Sequence, residues 1–117
     1  MWNLPLSYTR PPLTQNQRLH WTHRARVSRQ IHDEIGWQAR AQHLPKLDRP
    51  TVTLHYLPKD RRRRDVDNLV PTSKACLDGL VAAGLLTDDS STDVDHRMPV
   101  IHPAGNAQCR LWLEVAQ

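Results

Sequence analysis

Hydrophobic positions alternate with polar ones along some stretches of this chain and recur every fourth residue along others. Val27, Ile31, Ile35 and Ala39 stand four apart. Such a stripe drifts slowly round a helix of 3.6 residues per turn and predicts a first helix over residues 22–43. A second helix is predicted from 69 or 71 to 83, with Leu69, Leu77, Leu80 and Val81 on its buried side. Pro71 fits its first turn, where a missing N–H costs nothing, and Gly84 fits the position just past its end. Thr51–Leu57 alternates, is rich in β-branched residues early and stops at Pro58, which predicts a strand. Residues 94–102 and 108–115 read as two more strands joined as a hairpin through Ala104-Gly105-Asn106. Residues 2–8 read as a short edge strand or arm, since Pro5 lacks a donor. Pro11-Pro12 makes residues 10–18 a loop. The order β-α-β-α-β-β predicts an α+β fold: a mixed sheet of about four strands with two helices packed on one face.

The length of 117 residues fits one domain, 1–117. Its core must be lean, because only 38% of residues are hydrophobic and Phe is absent. No apolar run reaches the roughly 18 residues of a membrane span. The N-terminus shows no basic and apolar leader pattern. Two cysteines, Cys76 and Cys109, are too few for a disulfide framework and read as free thiols of a cytoplasmic protein.

Charge changes the picture more than composition does. Residues 1–64 carry 13 Lys and Arg against four Asp and Glu, whereas residues 65–117 carry three against eight. Thirteen of the 16 basic residues are arginine, whose planar fork suits phosphate. A basic half joined to an acidic cluster is a poor design for merely coating DNA, unless a cation sits among the acids.

The boundary between the halves is Arg61-Arg62-Arg63-Arg64-Asp65-Val66-Asp67-Asn68-Leu69. Residues two apart in extended chain point to the same side, so Asp65 and Asp67 can aim two carboxylates at one point. Held together they repel, and a divalent cation relieves that repulsion. Oxygen-only ligands favour Mg²⁺ or Mn²⁺ over zinc. Asp88-Asp89, returning after the second helix, can complete the set with Asp89 and also Asp88. A metal so held polarises a scissile phosphate, Lys74 can neutralise transition-state charge, and Arg61, Arg62, Arg63 and Arg64 can hold neighbouring phosphates. Arg18, Arg24 and Arg26 extend the basic surface. His20 and His23, three apart at a helix start, read as surface or nucleic-acid contacts rather than a metal pair.

In this order the motifs resemble the RusA family of Holliday-junction resolvases: the arginine run, Asp65-Val66-Asp67-Asn68-Leu69, Lys74, Leu77-Asp78-Gly79-Leu80, Ala83-Gly84 and Asp88-Asp89. The strong part covers about 30 residues. The resemblance implies a RusA-like fold and a homodimer that binds four-way DNA junctions and cuts them symmetrically with Mg²⁺. It implies catalytic, metal-binding roles for Asp65, Asp67 and Asp89, and a catalytic role for Lys74. One departure stands out. In the family the lysine follows the second aspartate by four residues, whereas here it follows by seven and Pro71 takes the fourth place. The Lys74–Asp78 spacing matches, so a three-residue insertion near 70–72 accounts for the shift. The alternative to a nuclease is a DNA-binding module of the same fold that has lost catalysis.

Overall fold

A computed structural model of the protein describes residues 1–15, 17–18, 20–104 and 110–117. The elements are β1 (Trp2–Pro5), α1 (Trp21–Ala41), β2 (Thr51–Leu57), a 3₁₀ turn (Val66–Leu69), α2 (Val70–Ala82), β3 (Asp95–His96), β4 (Val100–Ile101) and β5 (Arg110–Ala116). Among the described residues the fold is α+β, with two α-helices and a mixed sheet of five strands. None of the described helices is long and apolar enough to cross a membrane.

β2 is the centre of the sheet. β5 pairs with it antiparallel on one side, and β1 pairs with β5 beyond that. β3 and β4 pair with β2 in parallel on its other side. Parallel pairing requires a crossover, and α2 supplies it between β2 and β3. The register puts Leu4, Leu113 and Leu54 in one row and Tyr56 opposite Leu111 in the next. These residues are buried with Val52 and Val115, and Val27, Ile31, Ile35, Leu77 and Leu80 of the helices join the same core. Both helices therefore cover the one apolar face of the sheet.

The other face is polar and aromatic. His55, His102 and Trp112 stack there with ring centroids 5.1–5.3 Å apart. His55 lies 2.6 Å from Glu114 through Nε2 and 2.8 Å from His102 through Nδ1. The sequence offered neither histidine a partner. Cross-strand register supplied them, since His55 stands opposite Trp112.

Both helices end alike. After α1 the Leu44 N–H donates to the Ala39 carbonyl and the His43 N–H to Arg40. After α2 the Leu85 N–H donates to Leu80 and the Gly84 N–H to Val81. These are Schellman ends, which need a left-handed residue after the cap. Gly84 adopts φ of 80° there without strain, as its place in the sequence predicted, whereas His43 takes φ of 55°.

The predicted hairpin is not formed. β4 and β5 lie on opposite sides of β2, not beside each other. β5 matches β2 over seven residues, from Thr51–Ala116 to Leu57–Arg110, and so takes the long edge beside it. The expected strand over 94–102 is two strands of two residues each, separated around the buried Pro99, which has no N–H for a ladder. Of the predicted turn, Gly105 and Asn106 lie outside the described residues, as does Cys109. Cys76 is a buried free thiol, and burial pushes its pKa upward.

Gly79 lies at a close approach of the two helices. A Cβ there would meet Ile35 Cβ at 3.1 Å and His32 Cα at 3.2 Å. Ala ordinarily gains about 1 kcal/mol over Gly inside a helix, but overpacking against backbone costs about 1–3 kcal/mol. Gly79→Ala is therefore expected to lower stability by about 1 kcal/mol, read as a lower urea midpoint. A raised midpoint would show that the helices can separate freely.

Candidate active site

The loop after β2 is organised by Asp60. Its Oδ1 accepts the Arg62 N–H at 3.0 Å and Arg64 Nη2 at 2.7 Å. The Arg62 N–H and then the Arg64 guanidinium hold this carboxyl below its usual range. Arg64 Nη1 also donates to the carbonyls of Asp60 and Arg62, and its guanidinium lies over the Tyr56 ring. Arg64 thus shapes the loop, while Arg61, Arg62 and Arg63 are exposed. The four arginines, equivalent by sequence, divide into one turned inward and three turned outward.

Asp65 follows in extended conformation and caps the 3₁₀ turn. Its Oδ1 accepts the Asp67 N–H at 3.2 Å, and its carbonyl accepts the Asn68 N–H. The cap places Asp67 in the first turn, exposed, at the positive end of the short helical segment. α2 continues from that turn. Its Thr72 is fully buried and ties down the N-terminal loop: Oγ1 donates to the Leu13 carbonyl at 2.7 Å and accepts the Leu13 N–H at 3.1 Å. These two bonds bring residues 9–14 against the loop of the arginine run.

A hollow of about 1200 Å³ lies between the two loops. Arg10, Lys59, Arg62, Arg63, Asp65 and Asn68 are among the residues lining it. The sequence reading missed Arg10 and Lys59. A lone basic residue before Pro11-Pro12 carries no local signal, and it takes long-range contacts such as the Leu13–Thr72 bonds to bring that loop to the hollow.

One turn into α2, Lys74 Nζ donates to Asp78 Oδ1 at 2.8 Å and also to Asp89 Oδ2. Lys74 and Asp89, 15 residues apart, are therefore brought together. The shifted lysine spacing does not take Lys74 away from Asp89. Asp88 serves the turn, its Oδ1 accepting the Asp89 N–H at 2.7 Å. Beside Lys74 lies a pair that the sequence did not announce: Ser73 Oγ and His96 Nε2, 2.7 Å apart, with Ser73 buried. Burial first, then the Lys74 cation, pushes His96 below its ordinary range, and Asp78 opposes the shift.

The predicted ligands Asp65, Asp67, Asp88 and Asp89 are not gathered into one metal site among the described residues. Asp65 and Asp67 offer hard oxygen donors at the mouth of α2, the donor type that Mg²⁺ and Mn²⁺ take. Asp89 is held by Lys74. Among the described residues no group of three or more His, Cys, Asp and Glu side chains is placed to hold a metal ion together. Of the remaining predicted DNA contacts, Arg18 and Arg26 are exposed and Arg24 is half-buried, all in or before the first turns of α1. No family model matches the sequence, and no curated protein matches it.

Proposed function

We propose that the protein is a divalent-metal-dependent endonuclease of the RusA type that acts in the cytoplasm as a homodimer and cuts four-way or other branched DNA. The observation that carries this reading is the Lys74 contact with Asp89, which joins two of the assigned catalytic residues across 15 positions of chain. The basic hollow beside Asp65 supports it, since a phosphodiester strand needs cationic walls leading to the acids.

In this reading Arg10, Lys59, Arg62 and Arg63 hold phosphates that flank the scissile bond. Asp65 and Asp67 are the residues that would hold Mg²⁺ or Mn²⁺, with Asp89 nearest to Lys74. A bound divalent ion supplies charge neutralisation and polarisation of the phosphate. Lys74 places an ammonium where negative charge grows on the phosphoryl oxygens, and such preset charge is a large catalytic term. Asp78 and Asp89 orient that ammonium. Two copies of the site suit the near two-fold symmetry of a four-way junction.

A second reading is a DNA-binding module of the same fold without catalysis. It is favoured by the capping role of Asp65 and by the absence of a three-carboxylate group among the described residues. Incubation with a mobile four-way junction and Mg²⁺, repeated with Mn²⁺, separates the two. Symmetric paired nicks are expected. A junction bound but uncut with both ions overturns the nuclease in favour of the binding module. A junction neither bound nor cut overturns both.

A further inference from the structure

The first turns of α1 extend beyond the core. The buried stripe of the helix begins only at Val27, and none of residues 21–26 is buried. At 1.5 Å per residue this is about 9 Å of helix without an apolar seat. Yet it carries an indole: Trp21 is 73% exposed. His20 stacks on that ring, with centroids 5.8 Å apart and planes 29° from parallel. The same histidine is the helix cap. Its Nδ1 lies 2.7 Å from Thr22 Oγ1 and accepts the Thr22 N–H at 3.3 Å. The exposed aromatic pair is therefore held in place by the cap.

The charge on the chain to either side of the pair has one sign. Arg18, Arg24 and Arg26 flank it along the chain, and among the described residues none of these guanidinium groups makes an ion pair. No Asp or Glu precedes Asp33 in the chain, and the first turn of α1 holds no acid. A flat, preset ring flanked along the chain by unpaired arginines matches a partner that combines a flat ring with flanking anions. A nucleotide in a single strand has both. A base inside a duplex does not, because its faces are already stacked on its neighbours.

We propose that Trp21, backed by His20, is a stacking platform for an unpaired nucleobase, with Arg18, Arg24 and Arg26 taking the phosphates on either side. The proposal rests on the nucleic-acid part of the function above, not on its catalytic part. It assigns the recognition of unpaired DNA to the exposed start of α1.

Binding of a labelled oligo-dT strand and of a blunt duplex of the same length, followed by fluorescence anisotropy with EDTA present, tests it without any cleavage. Trp21→Ala is expected to weaken oligo-dT binding about tenfold, the scale of one lost base–aromatic stack. Trp21→Phe should keep most of that affinity, and neither variant should change duplex binding by more than about twofold. The indole is exposed, so the variants keep the core intact. Unchanged oligo-dT affinity in Trp21→Ala, or an equal loss on strand and duplex, overturns the platform while leaving the nuclease reading standing. A wild-type protein that does not bind oligo-dT overturns the platform, whatever the junction assay shows. Junction nicking by Trp21→Ala with Mg²⁺ reads the catalytic part separately.

Discussion

Asp67→Asn is expected to lower junction cleavage about a thousandfold, the scale of losing one group that acts on the transition state, while DNA affinity without divalent ions stays level or rises. The two effects have one cause. Asp67 is exposed in the first turn of the 3₁₀ segment, and in the proposed function it faces a substrate made of phosphates. In cleavage its carboxylate is needed as an oxygen donor to a divalent ion, and the amide is a far poorer one. In binding without that ion the same carboxylate only repels phosphate, so neutralising it helps. The fold should tolerate the change. The bond that caps the turn uses the Asp67 backbone N–H and the Asp65 side chain, and both persist. The favourable placement of an acid at a helix start is worth about 0.3–1 kcal/mol, a minor loss. Nicking rates and electrophoretic binding on the same junction are the measurements. Cleavage within about threefold of the wild type would remove Asp67 from the chemistry and leave the binding module as the better reading.

Leu113→Ala is expected to cost about 3–4 kcal/mol, near the middle of the range for a buried leucine cut back to alanine. Leu113 has no solvent exposure and stands between Leu4 of β1 and Leu54 of β2 in one sheet row. The hole would open under three strands at once, and hydrogen-bonded strands cannot close in on it. A domain of this size has about 5–15 kcal/mol in all, so the variant should unfold at a much lower urea concentration. Equilibrium urea unfolding measures it. A loss under about 1 kcal/mol would mean that the core around Leu113 can collapse, against the register seen here. The junction assay should be run well below the new midpoint, so that lost folding is not read as lost chemistry.

These predictions differ in how far they could be made from sequence. Leu113 was legible as a core residue, because Arg110–Val115 alternates and alternation sorts a strand's faces without any knowledge of its neighbours. The same holds for the α1 stripe and for Pro71 and Gly84 at the ends of α2, where the backbone demands of a helix terminus are local. The hairpin was not legible. Gly and Asn between two strands promise a tight turn, but whether two strands pair depends on what else competes for their edges, and β2 competed successfully for β5. The division of the arginine run was hidden for a similar reason. Arg64 turns inward because Asp60 and the Tyr56 ring await it, and neither is distinguishable from its neighbours in a string of letters.

The sequence by itself determined the helices, the central strand, the segregation of charge and the set of aspartates and lysine that suggest phosphodiester chemistry. Each depends on periodicity, capping or residue chemistry over a few turns of chain. Tertiary structure alone decided that β5 lies beside β2, that the Leu13–Thr72 bonds bring Arg10 to the hollow beside Asp65, that Lys74 meets Asp89, and that Trp21 is left in solvent with His20 against it. These are contacts between distant segments, and their energy depends on which surfaces the whole chain buries, a quantity that no local pattern contains.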